Sequence, residues 1–476
     1  MNLNQTLQEK YPHLEVSVLK LSEVKKNIDF RIDDSFWIMK LIYNNKLNYK
    51  KIGECLLKSQ YGISINMNEE GDGVPIYRMN DIDNMLCNFE VKKYALIDKN
   101  ELQTFRLNYG DVLFNRTNSY EFVGRTGIFY NNRENFVFAS YLVRLVCNKE
   151  ILLPEYLTVF LNTHIGKKEI RRRARPSINQ TNVNPEELKE IKIPIFPMEF
   201  QLEIQNLVKD SHKALEESKE LYKKAEETLY LELGLDPKNP LQSLLDSKID
   251  HSIKSLNISI RTLKESFLKT GRLDSEYYQS KYEDIEKFIK SYPNGYDSFS
   301  SIINNKDTNF TPKNNENYSY IELANIGNNG NISEPISDLG KNLPTRARRI
   351  VSKGDVIISS IEGSLSSCAL ITQEFDKHLV STGFFVLNSK LLNGETLLVM
   401  FKSQIFQEYL KKFPSGTILC AINKEELSKI LIPKIDSTTQ EKIAKYIQES
   451  FNLRKKSKQL LDNAKIKVEE QIQGKI

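Results

Sequence analysis

The chain has 476 residues, too many for one ordinary core, which sets an expectation of two to four domains. Its hydrophobic share is 40%, and no apolar run approaches the roughly eighteen residues a membrane-spanning helix needs, so a helical membrane protein is excluded. A net charge of +5 over this length does not by itself call for a polyanionic partner, and charge has to be judged by its location.

The opening MNLNQTLQEKY has no basic stretch ahead of an apolar one, so no export signal is expected. The cysteines (Cys55, Cys87, Cys147, Cys368, Cys420) are scattered and never in CxxC spacing, which fits a reducing cytoplasm and small buried thiols. The histidines (His13, His164, His212, His251, His378) are equally scattered, and no metal site is expected.

Along the first half, the polar segment KSQYGISINMNEEGDG (58–73) reads as a loop before a strand in IYRMNDI (76–82). DVLFNR, GRTGIFY and FVFASYLVRLV are β-branched and aromatic, bounded by Gly and Asn, and read as strands. Residues 151–173 read as one helix entered at Pro154, with Leu157, Phe160 and Leu161 as its apolar stripe. NQTNVNPEELKEIKIPIFPMEFQ (179–201) passes from a polar helix start through a short β-like IKIPIFP into a long helix. There Ile204, Val208, Leu215, Ser218, Tyr222, Ala225 and Leu229 recur at spacings of three, four or seven. DPKNP (236–240) ends that helix and begins a linker.

The second half repeats the first. FRIDDSFW (30–37) is answered by GRLDSEYY (271–278), with Arg31 and Asp33 matching Arg272 and Asp274. IYRMNDI is answered by YIELANI (320–326), GDVLFNR (110–116) by GDVIISS (354–360), EELKEIKIP (186–194) by EELSKILIP (425–433), and Gln201 by Gln440. The strands DVIISSI, CALITQ and STGFFVLN and the helix LLVMFKSQIFQEYLKKF (397–413) follow in the same order. A second long helix then carries Ile443, Ile447, Arg454, Ser457, Leu461, Ala464 and Val468. Small residues at Ser218, Ala225, Ser457 and Ala464 allow two helix backbones to approach closely. A period this long implies one unit duplicated and diverged rather than a solenoid. The expected fold class is α+β: a first module over 1–198, a long helix over 199–235, a linker over 236–268, a second module over 269–436 and a second long helix over 437–476.

A globular module containing GDVLFNRTNSYEFVGRTGIFY, a loop NQTNVNPEEL, IKIPIFPMEFQ and a long helix, all duplicated, resembles the specificity subunit of type I restriction-modification enzymes. The likeness spans roughly residues 14–472. The second half departs from it, with IPKIDSTTQ in place of IPIFPMEFQ and SSIEGSLSS in place of NRTNSYEFV. The resemblance implies two target recognition domains, each reading half of a bipartite double-stranded DNA site. It also implies two helices paired as an antiparallel coiled coil with pseudo-two-fold symmetry, seated through Val208, Leu215, Tyr222, Leu229, Ile447, Leu461 and Val468. Implied partners are two methyltransferase subunits and motor-endonuclease subunits, in the cytoplasm and with no membrane. No cofactor belongs to this chain; S-adenosylmethionine, ATP and Mg²⁺ would sit on the partners. A helix of about 33 residues spans about 50 Å, or about 15 base pairs of duplex.

Expected DNA contacts follow from clustered basic and amide side chains, which suit phosphates and base edges. EIRRRARPSINQTN (169–182) offers Arg171, Arg172, Arg173, Arg175, Ser177 and Asn179. The polar loops add Lys58, Ser59, Gln60, Tyr61 and Lys313, and NRTNSYE adds Asn115, Arg116 and Asn118. In the second half TRARRI supplies Arg346, Arg348 and Arg349, and KKFPSGT supplies Lys411, Lys412, Ser415 and Thr417.

No catalytic residue is expected. A phosphate loop GxxxxGK[ST] is missing, and VNPEEL lacks the aromatic of an amino-methyltransferase motif. The alternatives are a single-chain nuclease built on Asp83, Glu90 and Lys92, a pattern cheap enough that EVK recurs at 23–25, and a coiled-coil scaffold.

Overall fold

The computed structural model describes residues 3–474 except 15, 17, 40, 42, 132–133, 179, 247–259 and 417–418. The described chain divides into two units, Met1–Leu215 with Lys455–Ile476, and Glu216–Arg454.

In the first unit the β-branched runs pair as expected. A six-stranded sheet has the spatial order Leu56–Tyr61, Leu142–Cys147, Val112–Asn115, Thr126–Ile128, Leu86–Cys87, Ile82–Asp83. FVFASYLVRLV splits: Val137–Phe138 leaves for a second sheet beside Val74–Tyr77, and Leu142–Cys147 stays in the first. One face of the large sheet buries Phe114, Val143 and Leu145 against Tyr156, Leu157, Phe160 and the first turns of a long helix at Ile204 and Val208. Its other face closes over Tyr77, Phe129, Phe136 and Phe138, and the rings of the first three meet edge-on or tilted.

The second unit repeats the plan with fewer strands. Ile303–Asn305, Phe384–Ser389, Val356–Ser359 and Cys368–Leu370 form one sheet, and Ile336–Leu339, Asn317–Ile321, Leu379–Ser381 and Ala347–Ile350 the other.

The stretch expected as a single helix over 151–173 is two helices, Pro154–Asn162 and His164–Arg173. Thr163 breaks them: its backbone is extended, and its hydroxyl accepts from Gly166 N at 3.0 Å as an N-cap. Gly166 lies so close to Phe160 O that an added Cβ would stand 2.1 Å from it, which keeps this turn tight. Ser403 makes the same break between Gly394–Lys402 and Gln404–Leu410. The expected loop at 58–61 is likewise strand, the outer strand of the six-stranded sheet.

IKIP becomes a short strand, Lys192–Pro194, because Tyr49–Lys51 offers it an antiparallel partner. Leu431–Pro433 pairs with Tyr296–Ser298 in the same register, proline opposite tyrosine in both. Immediately afterwards the chain enters the long helices, Met198–Glu232 and Ser437–Gln473. The first stops at Glu232, ahead of DPKNP. Gly234 adopts the left-handed φ of +75° that lets Leu235 N donate back to Tyr230 O at 2.8 Å.

The helices pack antiparallel within each unit. In the first, Glu203 meets Lys467 at 2.7 Å, and the hydroxyls of Ser211 and Ser457 meet at 2.8 Å. Val208, Leu461 and Val468 are buried there, and Leu215 is half-buried. In the second, Ser218 meets Ser450 at 3.0 Å and Thr439 donates to Glu232 at 2.7 Å, while Tyr222, Leu229 and Ile447 are buried. Fully enclosed serines and alanines (Ser211, Ser218, Ala225, Ala464) are what such a close approach requires.

Each module is fastened to its helix by one glutamine. Gln201 is buried at the helix start; its carbonyl accepts from Leu153 N (2.9 Å) and its amide donates to Ile151 O (3.1 Å) and Phe196 O (3.0 Å). Gln440 accepts from Asn393 N (2.9 Å) and donates to Leu391 O (3.0 Å) and Ile435 O (2.9 Å).

Candidate nucleic-acid interface

The repeated Arg–Asp pairs anchor the outer segment of each module. Arg31 forks onto Asp33 with two bonds of 2.7 Å, donates to Arg173 O at 3.0 Å and lies 3.3 Å from the buried Glu187. Arg272 forks onto Asp274 at 2.8 and 2.6 Å and donates to Phe413 O at 3.0 Å and Pro414 O at 2.7 Å. In both cases the arginine holds the carboxyl of its aspartate below the usual carboxylate range. The three backbone carbonyls engaged this way lie just ahead of the next turn of the chain.

That turn in the first module is a hairpin. Arg175–Ser177 pairs with Gln180–Asn182, which in turn pairs with Thr117–Asn118. Its root is fixed by the buried Thr181 and by Thr117, whose hydroxyl donates to Asn182 at 2.6 Å. Arg175, Pro176 and Ser177 are all exposed. Arg175 is tied at its base to Asp29 and to Glu187, the latter at 3.1 Å.

Around the hairpin, cations lie on aromatic rings. The Arg116 guanidinium sits 5.0 Å from the Tyr61 ring centroid and donates to Ser140 O at 3.1 Å. Arg171 is 5.8 Å from Tyr120, and Arg125 is 4.1 Å from Phe122. Tyr61, Tyr120, Phe122 and Tyr141 are exposed, and Lys58 extends from the outer strand. Guanidinium groups held against rings, with amides of Asn118 and Gln180 beside them, suit stacking, phosphate neutralisation and base-edge hydrogen bonding.

Several expected contacts are engaged elsewhere. Arg172 and Arg173 are buried: both pair with the fully buried Glu169, Arg172 at 3.5 Å, and Arg172 also stacks on Phe36 at 4.1 Å. Asn115 is buried, its amide donating to Phe122 O at 3.4 Å. Gln60 donates to Thr104 O at 3.2 Å and accepts from Arg144, and Ser59 is half-buried in the strand. These groups hold the face together rather than present it. Tyr120, Phe122, Arg125 and Tyr141 belong to the face although basic and amide clustering did not point to them; the interleaved NSYEFVGR was the signal for the first three.

In the second module Lys313, Arg346, Arg348 and Lys411 are exposed. Lys313 pairs with Glu316 and Lys411 with Glu408, at 2.8 and 2.7 Å, both at the surface. The bond from Phe310 N to Arg348 O, 2.6 Å, brings the 309–316 loop to the Ala347–Ile350 strand. Arg349 is half-buried and donates to Phe384 O. Lys412 is buried on Glu286 at 2.5 Å, beside the Tyr277 ring. Ser415 pairs with Ala421 in an isolated antiparallel bridge. Asn179 and Thr417 lie outside the described residues.

Among the described residues no group of three His, Cys, Asp or Glu is placed to hold a metal ion, and no helix is long and apolar enough to cross a membrane. Asp83, Glu90 and Lys92 are exposed.

Two α+β modules of the same plan, each tied to its own long helix and each displaying exposed cations, make up a duplicated protein with basic surfaces. Residues 35–227 match the family model described as type I restriction modification DNA specificity domain. The putative type I restriction enzyme MjaX specificity subunit of Methanocaldococcus jannaschii is 22% identical over 425 residues, covering 88% of this chain and 91% of its own. The type I restriction enzyme EcoKI specificity subunit of Escherichia coli is 27% identical over 161 residues, 33% of this chain and 34% of its own. The crystal structure of a type I restriction-modification system S subunit from M. genitalium aligns with a TM-score of 0.41 at 15% identity, over 91% of this chain and 97% of that one. The chain is thus similar to the specificity subunits of type I restriction-modification systems, through a matched domain in its first half and a likeness along most of its length.

Proposed function

We propose that the chain reads a bipartite double-stranded DNA target, one half through each module, and that it performs no chemistry itself. The observation that carries this reading is the exposed arginine–aromatic face of the first module, built around a projecting hairpin. Lys58, Arg116, Arg171, Arg175, Lys313, Arg346, Arg348 and Lys411 serve phosphates. Tyr61, Asn118, Ser177 and Ser415 serve base edges.

Methylation of adenine then falls to two methyltransferase subunits that carry S-adenosylmethionine and dock on the paired helices. Cleavage falls to motor-endonuclease subunits using ATP and Mg²⁺, all in the cytoplasm. The test is a genome-wide map of methylated adenines in cells carrying the chain and its methyltransferase, against cells lacking only the chain. A bipartite motif with a fixed unspecified spacer, present only with the chain, is the expected result. Unchanged methylation with an active partner would refute the proposal.

A further inference from the structure

Ile178, at the tip of the Arg175–Asn182 hairpin, is 92% exposed, the highest value for any large hydrophobic side chain among the described residues. Single exposed apolar residues are common on protein surfaces. This one stands on a ribbon whose outer strand is exposed at all three positions. The root of that ribbon, by contrast, is locked by Thr181 and by the Thr117–Asn182 bond. The second module, of different sequence, also exposes an aliphatic at the corresponding place: Leu419, 65% exposed, between the paired Ser415 and Ala421. Two diverged modules therefore both expose a branched apolar group close after the carbonyls held by the repeated arginine.

The surroundings indicate what that group meets. Arg171 and Arg175 flank the ribbon, so its approach to a polyanion is favoured. A two-stranded ribbon is admitted by the major groove of B-form DNA. In that groove the 5-methyl of thymine is the one apolar feature of the base edges, and it is what an aliphatic side chain can recognise.

We propose that Ile178 contacts the 5-methyl group of a thymine in the major groove, making the hairpin tip a specificity-determining element of the first module. The proposal rests on the DNA-reading function above and adds one requirement to it: the half-site read by this module contains an A·T pair under the tip.

The experiment uses the full chain assembled with its methyltransferase and a duplex bearing the motif found by methylation mapping. Each thymine of the motif is replaced in turn by deoxyuridine, which keeps every hydrogen-bonding group and removes only the methyl. One replacement is expected to weaken binding about three- to fivefold, the worth of one buried methyl-sized group. Ile178→Ala, at a position too exposed to affect folding, is expected to weaken binding to the unmodified duplex by a similar factor and to bind thymine and uracil duplexes equally. If no replacement matters, or if Ile178→Ala keeps the full thymine preference, the tip is not the reader, while specific binding to the motif would still stand. Loss of specific binding by the unaltered chain would overturn the DNA-reading function and this proposal together.

Discussion

Replacing Gln201 by methionine tests the joint between the first module and its helix, because methionine keeps the volume and removes all three hydrogen bonds. Gln201 is 1% exposed, so water does not take over the lost partners. Leu153 N is left without an acceptor, and the carbonyls of Ile151 and Phe196 each lose a donor. With about 1 kcal/mol for each net hydrogen bond and about 1–3 kcal/mol for a stranded buried donor, the expected loss is about 3–5 kcal/mol. The assay is urea unfolding followed by tryptophan fluorescence. Trp37 is the single tryptophan of the chain, is buried in the first unit, and donates to Arg31 O at 2.7 Å, so the signal reports that unit. With a slope near 2–3 kcal/mol/M the midpoint should fall by about 1–2 M. Leu202→Met, at the exposed neighbouring position, should shift stability by less than about 0.5 kcal/mol. A Gln201→Met midpoint within 0.3 M or so of the parent would refute the reasoning that this side chain fastens the module.

The adjacent arginines should separate by role. Arg171→Ala should leave stability unchanged and lower the slope of log affinity against log salt by about one, read by DNA binding of the assembled complex. Arg173→Ala, which strips a partner from the fully buried Glu169, should cost about 3 kcal/mol in unfolding even though Arg172 remains. The hydroxyl pair Ser211–Ser457 should behave non-additively: either alanine alone costs about 1 kcal/mol, and the double variant recovers most of it, as a double-mutant cycle would show. The pairing of Asp33 with Arg31 lowers its pKa in the folded state from the usual 3.8. Its stabilisation is therefore complete above that value and is lost as the pH falls through the lowered one. Asp33→Asn should flatten the dependence of stability on pH below about 4, measured by urea midpoints across an acid series.

The long helices and their pairing were legible because apolar and small residues keep helical spacing with no proline or glycine between them. The joint was legible as a repeat, Gln201 and Gln440, although its chemistry was not, since its partners are main-chain atoms that leave no mark in sequence. The breaks at Thr163 and Ser403 were hidden because apolar periodicity continues on both sides of each cap. The run Arg171–Arg173 was read as one charged cluster, yet successive helical residues point about 100° apart, so three in a row do not share a face. Charge is visible in a sequence, whereas the buried Glu169 that turns two of these arginines inward becomes visible only through the fold. Of the aromatic rings on the candidate face, Tyr61 was expected, whereas Tyr120 and Phe122 look like core residues until the turn that exposes them is known.

The glutamine joint bears on how such a protein changes over generations. The bonds made by the two glutamine side chains, at Leu153 N and Ile151 O in one half and at Asn393 N and Leu391 O in the other, engage peptide groups, with one added bond from the Asn393 side chain to Gln440 O. Peptide groups are common to every sequence. A gene segment encoding a module with entirely different side chains can therefore be spliced ahead of the same helix and still find its fastening in place. Selection is free to rewrite what the module recognises, or exchange it wholesale, while the machinery it is bolted to descends unaltered.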